Sequence, residues 1–565
     1  MHSSELQNPE DIDNLLKKGP RDGKLVVVGG SMSGVEAATS LALHVSSMKT
    51  NASDQATNEC EVWHIATGPF WVLPRYLPHQ FLNDTEEKKT PFVPLDLSLY
   101  DLRNRPPGMK GITFGPVTAA QVNKKNQFFN SLLGEEYSKV GGVNHRDSQE
   151  NKSQRPPWVA ISDHYAEFVR SGVVNSVTGR AVSVTATELG QKSVNIQTPA
   201  GIEALDGVSA IIMATGFKPS NSLSFLPDDI LSTLEYSPED DFLPLILDSW
   251  STAHSEIPEL GFVGFYRGAF WGPAELQAQS LANAWATTQP DSGLPVPLSA
   301  EEKNERAAER QRVRDYRDFR PTTARGQFPL GDYVGLMETI SERLNRSRLS
   351  VQMQDGVGPD VQAIGPVIPA RYPSAERGPS QGQEEVEITL KSLREMLLTD
   401  LSESSSGTTA AVFRALHGQW EFEREISFDE VKSTGLATFH PRYSSNPDFQ
   451  AEYLYEEVDN TSSTRSVYRM RETSRPQQAG ICVWSVAEAG SSFAAELLFE
   501  LFITPTGRRT DPGKILVEGT SSNSSSQERH TYEFYFDRVA ITHWSHCVNY
   551  PGDRSRSTRY SRVKL

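Results

Sequence analysis

The residues best suited to chemistry lie in KLVVVGGSMSGVEAA, 24–38, where Gly29-x-Ser31-x-x-Gly34 follows an apolar run. In a turn of this spacing the first glycine makes the tight bend. A small middle residue lets the backbone approach a pyrophosphate, and the last glycine lets a helix pack on a strand. Amides at the start of that helix then face the negative charge. Gly29, Gly30, Ser31, Met32, Ser33 and Gly34 are therefore the expected phosphate cradle, with the Ser31 hydroxyl as a further donor. A glycine turn before an ordinary helix is the plainer reading. Three neighbours favour a dinucleotide: the leading strand KLVVV, the small-residue helix GVEAATSLA, and a second strand EVWHIAT roughly thirty residues on. That second strand runs out into HIATGPFWVLPRYLP, without the acid that would hold a free ribose hydroxyl. An arginine suits a 2′-phosphate, and Arg75 is the nearest one, which points to NADP(H) rather than NAD.

Other chemistry is sparse. THWSHCVNY offers His543, His546 and Cys547, but strand residues three apart face opposite sides, and a zinc site needs three or four converging ligands. No metal site is expected, and these three are read as strand-face residues. The sequence holds no nucleophile elbow, His-Glu-x-x-His or phosphate loop; TGRRTDPGK and VTGRAVS read as turns.

The elements that would position the glycine turn are of α/β type. Over residues 1–290, apolar runs bounded by glycine (KLVVVGG, ECEVWHIAT, VSAIIMATGF, LGFVGFYRG) suit parallel strands buried on both faces. The polar stretch 123–157, NKKNQFFNSLLGEEYSKVGGVNHRDSQENKSQRPP, reads as a loop or insertion. Helical patterns follow at 299–319 and around DYVGLMETISERLNR, and a Pro/Gly/Gln-rich linker is expected at 376–385. From 386 to 565 the pattern changes to short alternating strands with aromatics, about eight in roughly 180 residues, the size of a closed antiparallel barrel. A barrel of this kind has no edges to cover and is expected to fold independently.

The order of motifs resembles the flavin-containing monooxygenases over roughly residues 1–375. ATGFKPS (214–220) is similar to their Ala-Thr-Gly-Tyr/Phe segment, and GFYRGAFWGPAELQAQ (264–279) to the late segment ending in Glu-Leu-Gln-x-Arg. FPLGDYVGLME (328–338) and GPVIPARYP (365–373) are similar to their C-terminal end. The resemblance implies a Rossmann-type fold, with a nicotinamide-binding unit at about 23–215 and the rest of the FAD-type region at 216–375. In it the Gly29–Gly34 turn is the second of two and binds NADPH, while Ala214, Thr215 and Gly216 lie against FAD. The family's first turn, which grips FAD at its ADP end, has no counterpart ahead of Lys24. MHSSELQNPE is similar to the segment between the two turns, with His2 in place and Leu6 where an aromatic is usual. Two departures follow: the arginine closing Glu-Leu-Gln-x-Arg is Gln279, and Gly68 stands where an arginine commonly precedes PFW.

Residues 386–565 resemble a lipocalin-like domain of unknown function found behind monooxygenase-like regions in fungi, on LHGQWEFEREI, STGLATF, YLYEE, VYRMR and STRYSR. Trp420 is read as a barrel-floor tryptophan packing over the opening strand.

Composition bounds the rest. A net charge of −17 argues against nucleic acid, since polyanion binding wants a basic face. Three scattered cysteines, a polar acidic N-terminus and the lack of any apolar run of membrane-spanning length make a cytoplasmic setting the default. Two functions compete. One is an NADPH- and FAD-dependent oxidoreductase of monooxygenase type acting on a small molecule, without full activity unless FAD is gripped. The other is a non-catalytic nucleotide-binding unit joined to a barrel that holds a small ligand.

Overall fold

The computed structural model describes residues 1–563 except 18–22, 52–59, 80–88, 103–117, 135–136, 138–139, 142–157, 187–190, 250, 266–270, 287–296, 321–331, 350–364, 374–381, 398–405, 428–430, 472–479, 489–490, 512, 523–527 and 552–553. A parallel sheet is built from β1 (Lys24–Val28), β2 (Glu61–Ala66), β3 (Val174–Thr178) and β4 (Val208–Met213), in the order β4-β1-β2-β3. Val27 of β1 lies opposite His64 of β2 on one side and Ile212 of β4 on the other. The chain thus leaves β1 towards β2 and returns to its other side as β4, so the strand order reverses at β1.

Both faces of β1 are covered. Helix α1 (Met32–Asn51) brings Val35, Ala38, Leu41 and Val45 into one core with Leu25 and Val27. On the other face Val26 and Ile65 meet Val194, Ile196 and Leu205 of a small antiparallel sheet (Arg180–Ala186, Lys192–Thr198, Gly201–Asp206). Burial on both sides is why these strands are apolar runs rather than alternating ones.

Two sequence expectations are corrected. LGFVGFYRG is not a strand of the parallel sheet: the strand is Ile257–Gly261, and it pairs antiparallel with Ala253–His254. The stretch 123–157 is not wholly loop, because its first eleven residues complete a helix, α2 (Ala119–Leu133). Thr118 and Gln121 form a reciprocal capping box at its start, and Val122, Asn126, Phe129 and Leu133 make a buried stripe at helical spacing. Polar residues on the outer face hid that period. Residues 142–157 lie outside the described residues.

The second part is a closed barrel of ten antiparallel strands: β5 (Gly418–Ile426), β6 (Val431–Arg442), β7 (Phe449–Asp459), β8 (Ser463–Arg471), β9 (Ile481–Val486), β10 (Ala494–Ile503), β11 (Lys514–Ser522), β12 (Arg529–Asp537), β13 (Ala540–Tyr550) and β14 (Arg554–Arg562). Neighbours in sequence pair throughout, β14 pairs with β5, and β10 closes onto β11 past a hairpin arm, Thr506–Asp511. Ten strands replace the expected eight or so. HTYEFYFDRVAITHWSHCV divides at Arg538, whose φ of +55° turns the chain, and the basic C-terminal segment is a full strand. Diameter grows with strand number, and large rings fill the interior, among them Trp420, Phe422, Phe439, Phe534, Trp544 and Tyr560.

The two parts interlock. Lys89–Pro94, from the α/β part, pairs antiparallel with the hairpin arm, Pro91 opposite Thr506. Its Phe92 belongs to the barrel core, 4.9 Å from Phe536. Helix α1 packs on β6, with Ser47 Oγ accepting from the Tyr443 amide at 3.0 Å. One end of the barrel is closed by α4 (Ser406–Leu416): Phe413 stacks on Tyr453 at 4.3 Å, and Trp420 Nε1 donates to the Leu416 carbonyl at 2.9 Å. The expected linker lies outside the described residues up to 381, and a helix, Gly382–Leu397, occupies its remainder. No helix among the described residues is long and apolar enough to cross a membrane.

Candidate functional site

The glycine turn sits where β1 ends and α1 begins. Gly29 has φ +141°, and a Cβ there would lie 2.1 Å from the Ala214 carbonyl oxygen. A Cβ on Gly34 would lie 1.7 Å from the Gly29 carbonyl oxygen, so only glycine lets α1 start this close to β1. At Gly30 the obstacle is the Ala66 methyl, 2.8 Å away. The Ser31 carbonyl accepts from the amides of Gly34 and Val35, both at 3.0 Å, and so opens the helix. Met32 and Ser33 form its first turn, with Met32 exposed.

Ala214 is drawn alongside by its amide, which donates to the Val28 carbonyl at 2.8 Å. Thr215 and Gly216 follow at the exposed end of β4, Gly216 with φ +87° and nothing within 4 Å of an added Cβ. The structure therefore brings Gly29–Gly34 and Ala214–Gly216 to one rim, the carboxyl ends of β1 and β4. Arg75 pairs with Asp163: its amide donates to Asp163 Oδ1 at 2.8 Å and its guanidinium is paired with Oδ2, leaving about half of the side chain exposed (53 %).

One residue of this rim is not visible as a site residue in the sequence. His64 of β2 is fully buried, its Nε2 lies 2.6 Å from the Gly29 carbonyl oxygen, and its Nδ1 lies 2.6 Å from Tyr165 Oη. The carbonyl can only accept, so Nε2 carries the proton and Nδ1 accepts from the tyrosine. Burial holds the imidazole neutral, with its pKa down at about 4, although the bond to Gly29 works the other way. The available signal was a lone histidine inside an apolar strand facing the glycine turn's own strand.

Gln279 accepts from Arg346, which lies just past the helix Tyr333–Arg343, so a guanidinium from there reaches the position of Gln279. Trp420 is buried on β5 itself, with the Arg562 guanidinium 4.2 Å above its ring. His543 stacks on Tyr535 and is exposed, whereas His546 stacks on Tyr532 with its Nε2 3.0 Å from His530 Nδ1, so the two lie on opposite faces of β13. Among the described residues no three metal-ligating groups gather. Inside the barrel Glu457 accepts from Tyr455 at 2.7 Å, Tyr560 at 3.1 Å and Arg424, a polar cluster satisfied by its own members.

The fold is that of a Rossmann-type parallel sheet followed by a ten-stranded antiparallel barrel. Among solved structures, a lysine monooxygenase, NbtG from Nocardia farcinica, described for the conformation of its NADPH domain, is similar at a TM-score of 0.19 and 13% identity. The likeness covers 40% of this chain and 39% of that one, so the chain spans about two fifths of the length of that structure. No family model matches the chain, and no curated protein matches it.

Proposed function

We propose that the α/β part binds NADP(H) at Gly29–Gly34 and serves an oxidoreductase of the flavin monooxygenase type. The observation that carries this is the position of the turn: a glycine-demanding bend at the carboxyl end of β1, where the strand order reverses. Open α/β sheets bind ligands in that crevice. The pyrophosphate would lie against the first turn of α1, where helix amides and the N-terminal partial charge favour anions. Thr67 and Gly68 at the end of β2 offer no carboxylate to the adenine ribose, which favours the phosphorylated nucleotide. Arg75, already paired with Asp163, would share its exposed side with that phosphate. Ala214, Thr215 and Gly216 border the same crevice and would contact FAD, as the resemblance implies. When bound, these cofactors supply hydride transfer and oxygen activation, and the chain's part is to seat and orient them.

The non-catalytic reading keeps one observation in its favour. His64, the titratable group at the turn, has both ring nitrogens committed and no proton to exchange with a ligand. A two-stage experiment separates the readings. Fluorescence titration with NADPH and NADH should give saturable binding with NADPH preferred, and oxygen-dependent NADPH oxidation is then followed with added FAD. Oxidation supports the enzyme; saturable binding without oxidation supports the nucleotide-binding unit alone. No binding of either nucleotide overturns both.

A further inference from the structure

Where the short helix α3 (Tyr165–Arg170), the end of α4 and the barrel meet, polar atoms are buried in excess of their partners. Glu167 is fully buried and takes two guanidiniums, Arg562 Nη1 at 3.1 Å and Arg414 Nη1 at 3.5 Å, and the Tyr137 hydroxyl donates to it. Burial pushes this carboxyl up, but Arg562, Arg170 and Arg414 outweigh it and hold it down at about 2. The neighbouring Asp163 is matched by Arg75. Among the described residues Arg414 and Arg562 therefore share one carboxylate, which leaves positive charge over in a place shielded from water.

The same place holds buried polar atoms without hydrogen-bond partners among the described residues: Arg414 Nε, His417 Nδ1, Tyr453 Oη and His164 Nδ1. Arg414, His417 and Tyr453 are 4 %, 2 % and 1 % exposed. The rings of His164, His417 and Tyr453 form a triangle with centroid separations of 6.3, 6.1 and 6.4 Å. Tyr453 belongs to the barrel, yet its ring packs beside those of His164 and His417, which lie outside the barrel strands. All four groups can donate: Arg Nε only donates, a phenol can, and a neutral imidazole presents N–H at Nδ1 in one tautomer. Buried orphan donors each call for an explanation. Ordered water would satisfy the geometry, but it would leave the surplus charge uncompensated.

We propose that this junction is a binding site for one small monovalent anion of halide type, held by Arg414 Nε, His417 Nδ1 and Tyr453 Oη with His164 beside it. The anion completes the charge balance between α3 and the closed end of the barrel, and ties the α/β part to the barrel.

The test uses the full chain. Crystals soaked in sodium bromide should show a bromine anomalous peak within hydrogen-bond reach of Arg414 Nε and Tyr453 Oη. In parallel, melting in sodium bromide is compared with sodium gluconate, a bulky anion, at equal ionic strength. The wild type should melt a few degrees higher in bromide, as for any ligand bound only by the native state. Tyr453→Phe, which keeps the ring and removes one donor, should lose most of that shift. A water refined at the site with no anomalous peak overturns the proposal, as does equal melting in both salts or an undiminished shift in Tyr453→Phe. The diffraction experiment needs only the wild type, so a poorly folding variant does not protect the idea.

Discussion

His64 donates from Nε2 to the Gly29 carbonyl at 2.6 Å, and this bond fixes the floor of the glycine turn. Gly29 is already pinned from above, since a Cβ on Gly34 would collide with the same oxygen. A buried carbonyl wants a donor, and here a neighbouring strand supplies it across the parallel pairing.

The neutral state of His64 has a pH consequence. Its pKa is near 4 in the fold against 6.5 for the ordinary group. Between these values the unfolded chain binds the extra proton, so stability is full above 6.5 and falls as pH drops towards 4. The span corresponds to about 3 kcal/mol. Other buried histidines, including His164 and His417, are shifted the same way. The contrast with His64→Gln therefore isolates the residue: urea melts at pH 7 and pH 4.5 should show a smaller loss in the variant. Equal losses would contradict the role given to His64.

Glu167→Gln keeps the shape of the side chain and leaves Arg414 and Arg562 without their carboxylate. Breaking one partner of a buried pair costs about 3–5 kcal/mol. Denaturant unfolding of the variant should show a loss of that order, while Glu425→Gln, on an exposed strand pair with Lys432, should leave stability nearly unchanged. Similar small effects from both would mean that Glu167 does not hold the junction together.

What the sequence made legible follows from period and spacing. The strand–turn–helix at Gly29–Gly34 carries its own signature, because only glycine survives the contacts found there. The barrel was legible from alternation, but its strand number was not, since Arg538 turns the chain without a glycine or proline to mark it. Helix α2 was hidden by its polar outer face. His64 could not be assigned because a lone histidine in an apolar strand gives no sign of which neighbour it meets. Arg75 was legible only as the nearest cation; its partner Asp163 is 88 residues away and visible only in the fold.

The contacts between the parts bear on truncation. Residues 386–565 alone lack the strand Lys89–Pro94, whose Phe92 packs on Phe536 in the barrel core. The isolated piece should keep a strand-dominated circular dichroism spectrum and melt below the barrel of the full chain. Filling the place of Phe92 is worth about 3–5 kcal/mol by analogy with large-to-small core changes, so the drop should be several degrees. An unchanged melting temperature would mean that the strand contributes nothing to the barrel.

The most direct measurement is titration calorimetry of NADPH into the wild type and into Gly34→Val. A valine Cβ at this position would sit 1.7 Å from the Gly29 carbonyl oxygen and push α1 off β1, which removes the phosphate cradle. With folding of both proteins checked by circular dichroism, saturable binding to the wild type and none to the variant is expected. Equal affinity in the two, or no binding to the wild type, would contradict a nucleotide site at this turn.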